Sequence, residues 1–474
     1  MDLKDGSSRS AGLAAAFQRQ REARDQAPPR GRAERVQSLT ALESLLRENE
    51  AAFCRAIDAD FHGRSHAETR LLEVFPTLGA IKHARRHVAS WMRPRRVPTN
   101  FWFLPGSSRV VPQPLGVVGI VVPWNYPLYL ALGPRVCALA AGNRAMVKMS
   151  ESVPATGELL ARLVAERFDP TLLTVANGGV ETARDFVALP FDHLLFTGST
   201  AVGREVMRAA SANLTPVTLE LGGKSPAIVG RGIGAAEAAD RIMFGKCLNA
   251  GQTCIAPDYA LVPRESVDAF CAAARATVAR LYPSLRDNAD YTAIIDARHR
   301  ARLAAYLEEA QASGARVLEC NPAGEDLAGS PKMAPALVLG APLDSRLMRE
   351  EIFGPLLPVI AYETAEEAIA FVNARPRPLA LYVFDHDRAA IDRVLERTVS
   401  GGVGVNETLV HIAQEELPFG GVGPSGMGEY HGRAGFDTFS KRKAVFRQSR
   451  LNGLKLLRPP YGKRFATMVK LLLR

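Results

Sequence analysis

From residue 117 onward the chain alternates between short apolar runs and longer amphipathic segments. Strand-like runs occur at Val117–Val122, Ala145–Lys148, Leu172–Val175, His193–Phe196 and Val217–Leu221. Between them lie segments of helical spacing at 127–141, 154–168, 180–188 and 201–213. Short apolar runs separated by helices of period 3.6 imply right-handed βαβ crossovers and a parallel sheet. The pattern therefore predicts a five-stranded Rossmann-like layer. Ligands of such sheets sit beyond the carboxyl ends of the strands. Trp124, Asn125, Lys148, Gly198, Ser199 and Glu220 all fall at those ends, which points to one shared cleft.

A second alternation follows. Helical patterns at 234–249, 265–282, 297–312 and 364–374 intervene among strand-like runs at 255–262, 315–319, 335–339, 357–361 and 379–384. It reads as a second α/β domain. Upstream, apolar spacing predicts helices over 35–55 and 66–92, while 98–116 reads as extended chain with turns. The glycine-rich run 418–428 has no strand leading directly into it and no helix after it. A turn-rich loop lining a cleft is favoured there over a phosphate loop.

Length and charge narrow the function. A chain of 474 residues exceeds one ordinary core, so two or three domains are expected. The composition, 47% apolar and 23% charged, is that of soluble globular proteins. A net charge of +10 suggests nucleic acid until it is located. Residues 441–474 carry eleven Lys/Arg and no Asp/Glu, leaving 48 basic against 49 acidic residues elsewhere. The body is neutral and the tail is basic, so no nucleic-acid surface is expected. The six cysteines show no paired spacing, which fits a reduced, cytoplasmic protein. His83 and His87 lie four apart, but within Lys-His-Ala-Arg-Arg-His, whose cations would repel a metal, so none is expected. The first 40 residues are polar, and no apolar run approaches the roughly 18 residues of a transmembrane helix.

The chemistry concentrates between Glu220 and Cys254. Cys254, in Gly-Gln-Thr-Cys, is by residue usage alone a small buried hydrophobe, yet its small neighbours leave room for a carbonyl to approach. A reactive cysteine needs either a lowered thiol pKa or a base to take its proton. Glu220 closes an apolar strand just before Gly222-Gly223; a carboxylate in a partly apolar pocket has a raised pKa and becomes a usable base. A salt-bridge partner is the ordinary alternative. Asn125, after Pro-Trp at a strand end, is either a helix N-cap or an amide donor to an oxyanion. The run Phe196-Thr-Gly-Ser-Thr joins strand to helix, where backbone N–H groups suit phosphate. It is not the Gly-x-Gly-x-x-Gly fingerprint.

In this order, the pieces resemble the aldehyde dehydrogenase superfamily over about residues 10–450. The resemblance rests on Pro-Trp-Asn-Tyr-Pro at 123–127, Phe-Thr-Gly-Ser-Thr at 196–200, Leu-Glu-Leu-Gly-Gly-Lys at 219–224, Gly-Gln-Thr-Cys at 251–254 and Glu-Glu-Ile-Phe-Gly-Pro at 350–355. The loop Pro-Phe-Gly-Gly-Val-Gly-Pro-Ser-Gly-Met-Gly looks like the class 3 branch, and within it the bacterial coniferyl aldehyde dehydrogenases are most similar. By position the resemblance implies that Cys254 attacks the aldehyde, Asn125 holds the oxyanion, and Glu220 activates water to release the acid from a thioester. It implies that Lys148 and Glu351 bind cofactor riboses, Gly198 and Ser199 the pyrophosphate, Phe353 the nicotinamide end and Glu151 the adenine ribose, with Trp124 also among the cofactor-binding residues. A carboxylate at Glu151 leans toward NAD, with NADP as the alternative. Tyr126, His411 and Phe419 would stand near the aldehyde.

The implied organisation is an NAD(P)-binding domain over 1–92 and 117–219 and a catalytic domain over 220–404. A small β oligomerisation segment over 93–116 and 405–450 and a basic tail over 451–474 complete it. The expected partners are an aromatic, coniferyl aldehyde-like or long-chain aldehyde and a second copy in a homodimer. The tail, rich in Leu and Lys/Arg, would either cover the protein or its dimer partner or rest on anionic lipid as a peripheral contact. A CoA-acylating enzyme and a non-catalytic paralogue are the competing readings. The first generally lacks a base at the Glu220 position, and the second has no reason to keep Cys254, Glu220 and Asn125 together. One departure stands out: Lys148-Met-Ser-Glu151 replaces the usual Lys-Pro-Ser-Glu, which frees a φ angle, supplies an N–H and would loosen the ribose contact.

Overall fold

A computed structural model describes residues 3–454 and 458–473. The five strands expected for the first layer form as parallel neighbours: Val117–Val121, Arg144–Lys148, Leu173–Ala176, His193–Thr197 and Val217–Glu220. Their spatial order places Val117–Val121 at the centre, flanked by Arg144–Lys148 and His193–Thr197. The helix Pro127–Ala141 that follows the central strand is buried along its whole length. Apart from Arg135 it is apolar on every face, which accounts for that position.

The sheet has a sixth strand that apolar patterning did not reveal. Gly426–Met427 pairs antiparallel with Leu219 and Glu220 on the outer edge. Gly426 has φ 152°, and a Cβ there would collide with the Leu219 carbonyl, so the pairing needs glycine. The glycine-rich loop is therefore bonded to the strand that ends in Glu220.

The second sheet has seven strands, in the order Arg316–Glu319, Ala336–Leu339, Leu356–Tyr362, Tyr259–Pro263, Pro226–Val229, Ala380–Phe384, Gly402–Val405. All pairs are parallel except the first. Pro226–Val229, Gly402–Val405 and the helix Arg388–Arg397 were not expected from the pattern, being short or polar. A third, antiparallel sheet joins Arg95–Val97 and Ser107–Pro114 to Ser440–Arg447.

The helix expected over 66–92 is interrupted by a π-helical turn at Arg70–Val74 before resuming as Phe75–Trp91. Such turns cluster at functional sites. In the tail, the helix Lys463–Leu472 buries none of its residues. Among the described residues no helix is long and apolar enough to cross a membrane.

Candidate active site

The loop that carries Cys254 leaves the helix Ala235–Cys247 through two left-handed residues, Asn249 (φ 52°) and Ala250 (φ 49°). Asn tolerates this conformation, but for Ala it costs energy that the surroundings must offset. They do so through hydrogen bonds. Gln252 donates from Nε2 to the Asn249 and Ala293 carbonyls, both at 2.9 Å, and its Oε1 accepts from the Ile295 N–H at 3.0 Å. The Asn249 amide donates to the Asn125 and Gln252 carbonyls at 3.1 and 3.0 Å. Asn125 Nδ2 donates to that same Gln252 carbonyl at 3.1 Å. Asn125 is thus fastened to the loop that presents the thiol, with a second amide hydrogen left over.

Behind this loop lies an ionic network that sequence reasoning did not find. Arg64, buried between the rings of Phe61 and Tyr126, donates to the Asn125 carbonyl at 3.1 Å and to Asn249 Oδ1 at 2.6 Å. Glu68 and Glu73 stand 3.8 and 3.7 Å from its other nitrogens. Glu68 Oε2 accepts from the Asn249 N–H and the Thr292 hydroxyl, and Glu73 Oε2 from the Leu128 and Tyr129 N–H groups at the start of the helix Pro127–Ala141. Glu73 lies inside the π-helical turn. Burial pushes the Glu73 carboxyl up to about 6, against the opposing pull of Arg64.

Two cavities meet at Cys254 and Glu220. The larger, about 380 Å³, is walled by Leu71, Leu72, Phe75, Leu130, Ile412, Phe419 and other apolar groups. Tyr126 and Phe419 are on that wall as expected, whereas His411 packs behind, against Phe419 and Tyr382. Tyr126 is tied down by a 2.5 Å contact between its hydroxyl and Thr253 Oγ1. The second cavity, about 230 Å³, is walled by Trp124, Asn125, Gly198, Ser199, Glu220, Cys254, Glu351 and Phe353 together with His299 and Arg302. Eight of the ten residues expected to be catalytic or cofactor-binding therefore share one wall. Lys148 and Glu151 stand outside it, 3.9 Å from each other.

The electrostatics of the pair are distinctive. Burial, then the nearby Glu351 and Glu220 carboxylates, raise the Cys254 thiol well above its usual range, with the Cys254 and Ile255 N–H groups opposing. The alternative of a thiol acidified by its surroundings is absent here, so the thiol depends on a proton acceptor. Glu220 is 2% exposed, and neither carboxylate oxygen has a hydrogen-bond partner. Burial, with Glu429 nearby, raises its pKa well above the carboxylate range. The salt-bridge alternative for Glu220 is overturned, since no cation pairs with it among the described residues.

The lining of the second cavity suits one end of a dinucleotide. Glu351 is half-buried with its enclosed Oε1 unpartnered, and desolvation pushes its carboxyl up to about 8, although the Gly223 N–H bonds to it. Gly198 and Ser199 precede the helix Thr200–Ser211, with Ser199 Oγ accepting from the Val202 N–H at 3.4 Å as its cap. Phe353 (φ 48°) meets Trp124 edge-on at 5.3 Å. Acceptors for ribose hydroxyls, a helix N-terminus for phosphate and a pair of rings for a flat heterocycle are thus present together. Arg302 steadies this wall by donating to the Glu351 and Ile352 carbonyls at 3.4 and 2.9 Å. Lys224 does the same through Asp258, the Leu347 carbonyl and the Glu350 carbonyl. The Met149 substitution does not loosen the chain: its extra N–H donates to the Ala176 carbonyl at 3.0 Å. Lys148 Nζ donates to the Met149 and Gly178 carbonyls at 2.6 and 2.7 Å.

Comparison with known proteins agrees with this geometry. The family model "Aldehyde dehydrogenase family" matches residues 7–445, and the chain belongs to that family. A protein of Pseudomonas aeruginosa named "Probable coniferyl aldehyde dehydrogenase" is 53% identical over 96% of this chain and 95% of its own length. A solved structure described as the substrate-bound state of Staphylococcus aureus AldH is 37% identical, with a TM-score of 0.91 over 98% of this chain and 99% of its own. The Mycobacterium tuberculosis aldehyde dehydrogenase complexed with NAD+ is 31% identical, with a TM-score of 0.83 over 92% of this chain and 90% of its own.

Proposed function

We propose that this chain oxidises a bulky, aromatic aldehyde of the coniferyl aldehyde type to its carboxylic acid, using NAD. The observation that carries this reading is the meeting of two cavities at one thiol. The larger is almost wholly apolar, as a ring-bearing substrate requires, and the other has the donors and acceptors of a dinucleotide site. The similarity to the Pseudomonas aeruginosa protein supports the choice of coniferyl aldehyde, and the Mycobacterium tuberculosis complex supports NAD. NADP is the alternative cofactor, disfavoured by the carboxylate of Glu151.

Cys254 gives its thiol proton to water in the cleft and attacks the carbonyl carbon, and the oxygen that becomes anionic is held by Asn125 Nδ2 and the Cys254 N–H. When bound, NAD supplies the acceptor for the aldehyde hydride, which leaves a thioester on Cys254. Glu220, which lines the wall shared by both cavities, takes a proton from water as it attacks that thioester. Glu220 also argues against a CoA-acylating enzyme, in which water must be kept from the thioester. We read residues 1–92 and 117–219 as the cofactor domain, 220–404 as the catalytic domain, and 93–116 with 405–450 as a bridging segment of a cytoplasmic homodimer. The three separate sheets support this division.

The test is NADH formation with coniferyl aldehyde, benzaldehyde, a long-chain aldehyde and acetaldehyde, each with wild type and Cys254→Ala. The reading expects coniferyl aldehyde to give the highest kcat/KM and Cys254→Ala to be inactive. A preference for acetaldehyde would overturn the substrate class. Undiminished turnover in Cys254→Ala would overturn the mechanism.

A further inference from the structure

We propose that His83, His87 and Glu416 bind a divalent transition-metal ion, with Zn2+ the best chemical match, and that the ion fastens the 405–417 loop to the helix Phe75–Trp91. The sequence argued against a metal here because Lys82, Arg85 and Arg86 flank the histidines. The fold removes most of that objection. Arg85 is paired with Glu43, and Lys82 and Arg86 are exposed. The loop brings in Glu416, a ligand 329 positions beyond His87 and invisible to any spacing rule.

One ligand atom from each of the three residues lies within 4.8 Å of the others. His83 Nε2 is 3.2 Å from Glu416 Oε1, yet the contact lacks hydrogen-bond geometry, and this buried nitrogen has no other partner among the described residues. His87 Nδ1 is 2.9 Å from the His83 carbonyl. Donation there puts the proton on Nδ1 and leaves the Nε2 lone pair free, the outer-shell arrangement that metal-binding imidazoles use. Helical i, i+4 spacing stacks the two rings with centroids 4.2 Å apart, and Trp91 packs against both. Metal–ligand bonds of about 2.0–2.2 Å require the donors to close by about an ångström. His83 Nε2 and Glu416 Oε1, 3.2 Å apart, already stand near the donor–donor spacing such bonds set, so the closure falls on the half-buried His87 ring, with the 71% exposed Glu416 free to follow it. Two imidazoles and a carboxylate leave a fourth position open, a donor set that suits Zn2+.

Such an ion would bridge two walls of the apolar cavity. Leu409, Val410, Ile412 and Ala413 in the loop, and Phe75 and Pro76 at the start of the helix, all line it.

The test uses the full-length chain carrying Cys254→Ala, which removes the catalytic thiol as a competing ligand. Zn2+ is titrated against a chromophoric chelator, and thermal unfolding is followed with and without the ion. We expect one equivalent per chain and a rise in Tm on adding Zn2+. His87→Gln and Glu416→Gln, each in the same background, should weaken binding at least tenfold and lose the rise. Glu416→Gln alters only an exposed side chain, so its loss of binding cannot be ascribed to misfolding. Equal stoichiometry and affinity in parent and variants, or no uptake by the parent, overturns the site.

Discussion

Arg64→Met tests whether the buried network, rather than loop packing alone, sets the geometry around Cys254. The substitution keeps the length of the stem and removes the guanidinium. Two charge-assisted hydrogen bonds disappear, to the Asn125 carbonyl and to Asn249 Oδ1, each worth roughly 1.5–3 kcal/mol. Glu68 and Glu73 then face an apolar interior with no cation 3.7–3.8 Å away. Removing one partner of a buried ion pair costs about 3–5 kcal/mol, and the sum stays in that range because the carboxyls can take up protons. Burial already pushes Glu73 up to about 6, and without Arg64 it rises further. A carboxyl whose folded-state pKa is raised contributes stability that is present below its unfolded value and lost as pH rises through the folded value. The deficit relative to wild type should therefore be smallest near pH 5, where the two lost hydrogen bonds set it, and widen as pH climbs through 6 to 8. Urea midpoints across that range measure it. In parallel, Asn125 and Asn249 lose their anchor, and a displacement of about 1 Å at a reacting centre costs on the order of 100-fold in kcat. A loss below about 1 kcal/mol at pH 8 with unchanged kcat would refute the network's role.

Glu220→Gln should still give an initial burst of NADH but slow acid release by about 10²–10⁴-fold, the usual contribution of a general base. Because burial raises the Glu220 pKa, wild-type turnover should rise with pH above the ordinary carboxylate range, and that limb should vanish in the variant. Ala413→Trp places an indole on the wall of the apolar cavity; KM for coniferyl aldehyde should rise about tenfold or more, with acetaldehyde little affected, since one filled contact is worth roughly 1–3 kcal/mol. Liposome co-sedimentation with and without residues 451–474 tests the tail, whose helix leaves Leu471 and Leu473 exposed. Equal behaviour of the two chains would sink the lipid contact and favour docking on protein.

Period and strand-end logic were enough to find the parallel sheet and, on the wall of the second cavity, Trp124, Asn125, Gly198, Ser199 and Glu220, because both depend on local pattern; Cys254 showed through its small neighbours, and Glu351 and Phe353 only through the resemblance. What stayed hidden depends on contacts between distant segments. Arg64 in the turn before His66, Glu68 in the short helix His66–Thr69 and Glu73 in the π-helical turn Arg70–Val74 look like surface charges until packing against the segments of Asn125 and Asn249 buries them. Glu416 is one carboxylate in an acidic loop until folding sets it beside His83. Strands such as Pro226–Val229 and Gly402–Val405 are too short to show a period and form because neighbouring strands supply their partners. Gly426 gave the clearest missed signal: a glycine with a carbonyl where its Cβ would stand marks close approach of another chain segment, here the strand of Glu220.

That last contact bears on how one carboxylate can serve two cavities. Glu220 ends an edge strand, where a carboxyl would ordinarily reach water and keep a low pKa. The Gly426–Met427 strand covers that edge, the Leu221 N–H donates to the Ser425 carbonyl at 3.1 Å, and Tyr430 and Phe419 complete an apolar wall beside it. The carboxyl is left buried, unpaired among the described residues and raised in pKa, yet it lines the same boundary as Cys254. An unpartnered buried carboxylate is costly. It stays reactive because no cation stabilises the ion and water entering either cavity is the first donor it meets. The glycine loop, by covering a sheet edge, thus gives Glu220 the raised pKa that the proposed general-base role calls for.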